Sequence, residues 1–279
     1  MKNTEWNSAR TAALLAADAS EKVIAGYLSS GDWQVQYKAD DTPVTEADVE
    51  TEKAIRAVLA EHASNASFYG EETGRTDTLS ASVAESDGNQ AGELLWLVDP
   101  IDGTKSFIRN MPFFSTQIAL MHNGELVVGV SNAPVYGERL VASHGCGVSL
   151  NNTEVKCRNV TTLSDAFLSM GNLDSMAHQP AAWSALADVV KQVRRVRGYG
   201  DFCHYHQLCC GQTDLIIESD VNILDIAALT VGVREAGGII TDLLGQAITL
   251  DTTSVLAAAT PELHELTLQY FLPVFASGS

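Results

Sequence analysis

The feature that most constrains this chain is a run of five apolar residues, Leu94-Leu-Trp-Leu-Val98, that stops against Asp99-Pro-Ile-Asp102-Gly-Thr104. An uninterrupted apolar run of that length reads as a strand covered on both faces, and so as the interior of a layered sheet. Asp99 then stands at the rim of the core, with a second carboxylate three residues on. Like charges that close raise each other's pKa unless a cation neutralises them. Oxygen donors without an organised Cys or His set suit Mg²⁺, which favours carboxylates, water and phosphate oxygens. Gly103 lets backbone N–H groups turn toward an anion, and Thr104 can open a helix there, so a phosphate cradle beside a cation is expected.

The rest of the chain supplies the layers. Residues 5–29 read as an amphipathic helix, with Leu14, Leu15, Val23, Ile24 and Leu28 at helical spacing and Gly31 near its end. Thr45 with Asp48 three positions on reads as the start of a second helix carrying Ile55, Val58 and Leu59. Residues 67–69 form a short strand leading to Gly70-Glu71-Glu72, and residues 75–92, rich in Ser, Asp, Gly and Asn, read as a mobile surface loop. His122-Asn123-Gly124 marks a hairpin between strands 115–121 and 126–130, and strands at 139–142 and 147–150 continue the pattern. Beyond residue 160, strands near 167–170, 193–196, 214–217, 239–242 and 255–259 alternate with helices near 180–192, 202–212, 226–235 and 261–271. Gly237-Gly238 is a helix stop. The expectation is an α/β layered fold without internal repeat, divided for description into halves 1–150 and 151–279.

A third acidic site, Asp225, is expected just ahead of the helix 226–235, beside the small residues Ala227 and Ala228. Three separated acid sites at element ends are what two-metal phosphate chemistry needs: to hold phosphate, activate a water and stabilise the leaving alkoxide. Composition excludes some rivals. With 17 Lys+Arg against 35 Asp+Glu, the net charge of −18 argues against a nucleic-acid partner. No stretch reaches the roughly 18–20 apolar residues that cross a bilayer, and the start Met1-Lys2-Asn3-Thr4-Glu5 reads as a poor signal peptide. Five irregularly spaced cysteines favour a reducing cytoplasm over a disulfide framework. Cys203, His204, His206, Cys209 and Cys210 lack paired zinc spacing and read as helix packing; Arg194, Arg195 and Arg197 read as a solvated strand edge.

These residues resemble the inositol monophosphatase family of Mg²⁺-dependent, lithium-sensitive phosphomonoesterases. The likeness rests on Gly70-Glu71-Glu72, Asp99-Pro-Ile-Asp102-Gly-Thr104, and Asp225-Ile-Ala-Ala228 followed by Glu235-Ala-Gly-Gly238, in that order, and spans about residues 10–271. The resemblance implies an αβαβα sandwich, a homodimer, and two or three Mg²⁺ ions, with Mn²⁺ as the alternative. It places Glu71, Asp99 and the Ile101 carbonyl on a first metal and Asp99, Asp102 and Asp225 on a second. Thr104 with Asp48 orients the attacking water near Glu71, Gly103 and Thr104 N–H groups receive the phosphate, and Lys38 is a loop lysine near the metals. Leu224 departs from the aromatic common before the aspartate. Lys105-Ser106, together with Asp201 and Glu218, is similar to the histidinol-phosphate phosphatase branch. The substrate this implies is a small phosphate ester, L-histidinol phosphate first, with inositol monophosphate or a 3′(2′),5′-bisphosphate nucleotide as alternatives. A non-catalytic, RNA-associated homologue is the rival from another class, disfavoured by the complete acid set and the negative charge.

Overall fold

A computed structural model describes residues 5–31, 35–37, 43–63, 65–76, 79 and 93–275. In chain order its helices are α1 (Asn7–Ser30), α2 (Glu46–His62), α3 (Thr104–Phe107), α4 (Asp174–Ala177), α5 (Pro180–Val190), α6 (Asp201–Cys209), α7 (Ile223–Glu235) and α8 (Pro261–Phe275). The strands begin with a small antiparallel pair, β1 (Val35–Tyr37) and β2 (Pro43–Thr45). The first large sheet uses β3 (Ser67–Gly70), β4 (Gly74–Thr76), β5 (Leu94–Asp102), β6 (Ser115–His122), β7 (Glu125–Ala133), β8 (Glu138–Ser143), β9 (Gly147–Leu150) and β10 (Thr153–Glu154). Its order is β10-β9-β8-β7-β6-β5-β3-β4, with β3 and β5 parallel inside an otherwise antiparallel array. The second sheet, β12-β11-β13-β15-β14, uses β11 (Phe167–Gly171), β12 (Arg195–Arg197), β13 (Leu215–Ser219), β14 (Ile239–Thr241) and β15 (Ser254–Ala258).

Side-chain alternation along β5 sets the layering. Trp96 and Val98 face one way, into a core shared with Ala12, Ala13, Ala16 and Ala17 of α1 and Ile55 and Leu59 of α2. Leu95 and Leu97 face the other way, onto α6 and α7, which also meet Ile216 of β13 and Val255 and Ala257 of β15. Leu215, Ile217, Leu256 and Ala258 on the opposite face of the second sheet meet α5 and α8. The result is helix, sheet, helix, sheet, helix: the αβαβα sandwich, with β5 covered on both faces as its unbroken apolar run requires.

The packing of α1 differs from the expected stripe. Leu15 is exposed, Leu14 and Val23 are half-buried, and the fully covered face is the alanine row with Ser20 and Ile24. Small side chains let α1 lie close against the sheet and α2, so the larger leucines are displaced toward the helix flank. On the other side of the sheet Gly129 of β7 does the same for α7. A Cβ there would run into the backbone carbonyl of Ala228, so the expected close approach at Ala227-Ala228 is made by helix backbone on sheet backbone. The hairpin at Asn123-Gly124 has φ of 51° and 83°, as a two-residue turn of this hand demands. Gly237, with φ of 87°, follows the Ala236 cap of α7 as expected of a helix stop. Of the loop expected over 75–92, Arg75 and Thr76 belong to β4 and Leu79 is buried; residues 77, 78 and 80–92 lie outside the described residues.

Candidate metal centre

The strand expected to stop at Val98 runs on to Asp102, paired with β6 through a register shift between Asp99/Gln117 and Asp102/Ser115. Pro100 cannot donate to the ladder, and its carbonyl accepts from Thr116 Oγ1 at 2.8 Å, which pins the bulge. Asp99 Oδ1 accepts from the Ile101 N–H at 3.0 Å, and Asp102 Oδ2 from Ser115 Oγ at 3.4 Å, itself held by Gln117 Nε2 at 2.8 Å. Bulges re-aim side chains, and this one turns both carboxylates to the same place. Gly103 then takes φ of 90°, with the Phe113 carbonyl 2.7 Å from where a Cβ would sit, so glycine is required on both counts. Thr104 begins α3 immediately afterwards.

Two helix starts deliver two more acids by the same device. Thr45 caps α2, and Asp48 at its third position accepts from the Thr45 N–H at 2.7 Å and hydroxyl at 2.6 Å, leaving Oδ1 for Thr104 Oγ1 at 3.2 Å. Asn222 caps α7, and Asp225 accepts from Asn222 N–H at 3.0 Å and Nδ2 at 2.8 Å. Asp225 therefore lies inside the helix, not ahead of it. The cap is three residues earlier because Asn222 supplies the side-chain acceptor for the Leu224 N–H. Leu224 itself is buried in the inter-sheet core.

One carboxylate oxygen from each of Asp99, Asp102 and Asp225 lies within 4.8 Å of the other two. Glu71 stands outside that trio, at the end of β3, with its N–H bonded to the Val98 carbonyl at 3.1 Å. Its turn is held by Glu52, a buried acid whose two oxygens accept from the Glu72 and Thr73 N–H groups at 2.8 and 3.0 Å. Glu52 was not singled out from the sequence, although it lies four residues after Asp48 and so shares its helix face. Burial first, then Glu71, Asp102, Asp225 and Asp48, push Asp99 well above the usual carboxylate range. Asp102 is raised likewise by burial, then Asp225, Asp201, Glu218 and Glu71. Asp225 is pushed up to about 7, chiefly by burial and then by Glu71 and Glu218, against the lowering bonds from Asn222. Asp48 is raised by burial and, more weakly, by Glu71. An all-oxygen set with this much uncompensated repulsion fits a hard divalent cation. Lys38 lies outside the described residues.

The two expected substrate acids sit to one side. Asp201 is the first residue of α6, after a Gly200 cap, and is held at φ of 46°. Burial and Glu218 push it up to about 6. Glu218, on β13, is buried, and accepts from Tyr205 Oη at 2.8 Å. The other expectations resolve as packing. His204, His206, Cys203 and Cys209 are buried in or beside the inter-sheet core, and the cysteines are free. Arg195 and Arg197 are exposed on β12, an edge strand of the second sheet.

The family model of the inositol monophosphatase family matches residues 5–274. The chain belongs to this family. Among its relatives, a histidinol-phosphatase of Streptomyces coelicolor is 36% identical over 239 residues, covering 82% of this chain and 85% of that protein. A histidinol-phosphatase of Mycobacterium tuberculosis is 35% identical, covering 84% and 87%. A solved inositol monophosphatase from Zymomonas mobilis superposes with a TM-score of 0.78 at 27% identity, covering 96% of this chain and 99% of that one. For an inositol monophosphatase family member, phosphomonoester hydrolysis is the chemistry against which the acid cluster is read.

Proposed function

We propose that this family member hydrolyses a small phosphate monoester whose alcohol carries positive charge, L-histidinol phosphate before inositol monophosphate or a nucleotide 3′-phosphate. The observation that supports this reading is the pair Asp201 and Glu218: the Glu218 carboxylate and the turn that begins at Gly200 border the same space beside Gly171, and both charges help to raise Asp102. An inositol ring offers only hydroxyls. Histidinol phosphate offers an ammonium and an imidazole, to which carboxylates make charge-assisted hydrogen bonds. Asp201, pushed up to about 6, is mostly ionised at neutral pH and available for that role.

Glu71, Asp99, Asp102, Asp225 and the Ile101 carbonyl are the residues that would hold two or three divalent ions, Mg²⁺ or Mn²⁺. When bound, such ions neutralise phosphate charge and lower the pKa of water. The chain's own part follows from its hydrogen bonds. The Thr104 hydroxyl has one proton to share between Asp48 Oδ1 at 3.2 Å and the Ile101 carbonyl at 3.1 Å, and its oxygen remains an acceptor that can orient a water. Glu71 accepts that water's proton as it attacks phosphorus in line; the ester P–O bond breaks on the opposite side and the departing alkoxide takes a proton from solvent, with no covalent phosphoenzyme. Gly103 and Thr104 N–H groups receive phosphate oxygens. Residues 1–150 thus supply most metal ligands, and 151–279 the last aspartate and the substrate contacts. A homodimer, lithium sensitivity and a cytoplasmic location go with the reading; among the described residues no helix is long and apolar enough to cross a membrane.

A substrate panel tests it: kcat/KM for histidinol phosphate, inositol 1-phosphate and a nucleotide 3′-phosphate, with Mg²⁺ and then Mn²⁺. Histidinol phosphate is expected to lead. If it trails inositol phosphate by more than about tenfold, about 1.4 kcal/mol in transition-state binding, the substrate assignment is wrong. No turnover of any ester would point to a non-catalytic role.

A further inference from the structure

Behind Glu218 lies a hydrogen-bonded chain that none of the steps above employs. His204, on α6, has no exposed surface, and its Nε2 is 3.2 Å from Glu218 Oε2. Its Nδ1 is 3.3 Å from Ser169 Oγ on β11, and the same hydroxyl oxygen accepts from the Tyr199 N–H at 3.3 Å. The ring stacks edge-on against Tyr205, whose hydroxyl is the second donor to Glu218 Oε2. An ionised carboxylate only accepts and a backbone N–H only donates, so the direction of the chain is fixed for a neutral imidazole. Tyr199 N–H donates to Ser169, Ser169 O–H to His204 Nδ1, and His204 Nε2–H to Glu218.

Two donors on one oxygen aim the other. Glu218 Oε1 lies over Gly171, the paired residue of β11, 2.5 Å from where a Cβ would stand, and the Gly200 Cα is 3.0 Å from the same point. Oε1 therefore occupies the space that the missing Cβ of Gly171 leaves open, and the Gly200 backbone borders the same space. The far end of the chain, Tyr199, enters that same turn, whose Asp201 is in the sterically costly left-handed region.

We infer that His204 is a positioning residue for substrate selection: through Ser169 and Tyr199 on one side and Glu218 on the other, it fixes the spacing of the two carboxylates, Asp201 and Glu218, that would grip a cationic leaving group. His204 touches no substrate and acts only through these neighbours. The inference rests on the proposed role of Asp201 and Glu218, and extends it to residues that role does not name. A side chain selecting only for packing has no need of a polar ring donating to a buried carboxylate. The complete run of donors and acceptors, from the Tyr199 N–H in the turn after β12 to Glu218, is what the positioning role requires.

The experiment compares wild type with His204→Phe, His204→Gln and Ser169→Ala, each assayed on histidinol phosphate and on p-nitrophenyl phosphate, which presents no cation. Loss of a hydrogen bond to a charged group predicts a rise of about tenfold or more in KM for histidinol phosphate in His204→Phe. Turnover of p-nitrophenyl phosphate should stay within about threefold of wild type, the scale of an uninvolved neighbour. His204→Gln, whose amide can donate from near the Nε2 position, should recover most of the loss. Equal losses on both esters, or no loss on either, overturn the inference. Should His204→Phe fail to melt cooperatively, Ser169→Ala carries the test with a smaller rise in KM of the same selectivity, and its absence counts equally against the idea. Wild-type turnover of histidinol phosphate separates the two levels. If it is absent, the substrate reading fails, and the network is judged by the same differential on the best ester of the panel.

Discussion

Divalent-cation affinity should rise with pH across the neutral range, because burial and mutual repulsion raise the pKa of Asp99, Asp102 and Asp225, which would hold the ion. Asp225 is pushed from its ordinary value of 3.8 up to about 7, and Asp99 and Asp102 are raised well above theirs. Binding must expel those protons. For one group with a pKa of about 7 the competing factor is about 11 at pH 6 and about 1.1 at pH 8, so affinity grows about tenfold, or about 1.4 kcal/mol. Asp99 and Asp102 are raised too, and so act in the same direction. Stability of the metal-free protein carries the opposite sign. A raised carboxyl favours the folded state below its unfolded pKa, and that contribution is lost as pH climbs through about 7. The metal-free protein should therefore melt lower at pH 8 than at pH 5, with Mg²⁺ closing the gap. Isothermal titration calorimetry of Mg²⁺ binding at pH 6 and 8, repeated in buffers of different ionisation enthalpy, reads both affinity and released protons. An affinity flat over that range, with no proton release, would show that the trio is not the cation site.

Three further outcomes follow from the same geometry. Asp102→Asn should lower kcat at saturating Mg²⁺ by about a hundredfold or more while the melting temperature holds or rises, since one like charge has gone; wild-type turnover would remove Asp102 from the chemistry. Glu52→Ala strands the N–H groups of Glu72 and Thr73, and should cost about 2–4 kcal/mol in urea unfolding and lower activity by loosening the Glu71 turn; undiminished stability would show that the turn stands unaided. Gly129→Ala drives a methyl into the Ala228 carbonyl and should cost about 1–3 kcal/mol, read as a lower melting temperature; an unchanged melt would mean that α7 can shift off the sheet freely.

How much of this could be read beforehand depends on how local each determinant is. The β5 run, the Asn123-Gly124 turn and the Gly237 stop announce themselves because adjacent residues dictate strand burial, turn hand and helix ending. The helix starts were half legible. Thr45 with Asp48 has the capping pattern, whereas Asn222 with Asp225 was misplaced by three residues because Asp225 looks like a cap when taken alone. The buried face of α1 is not legible from apolar size, because close approach puts the alanines rather than the leucines in the core. Glu52 could be found only as the helix-face neighbour of Asp48, and Ser115 and His204 could not be found by spacing from the acidic motifs. Their partners Glu72, Asp102 and Glu218 stand 20, 13 and 14 residues away, and only the folded layers bring them together.

The anchoring of the acids indicates what a cation contributes to the fold. Asp99 and Asp102 belong to the β5–β6 ladder and are tied there, through the Ile101 N–H and Ser115. Asp48 is tied by Thr45 at the start of α2. Asp225 is tied by Asn222, which belongs to its own helix cap, so its bonds fix the side chain to α7 rather than to the first sheet. Each carboxylate is therefore aimed before any ion arrives, which is the preorganisation a charge-stabilising site needs. The repulsion among them falls across one seam, between the rim of the first sheet and the N-terminus of the helix layer beneath it. That helix end carries partial positive charge, which offsets some of the repulsion. A divalent ion would turn the remaining repulsion into a cross-link between the two layers.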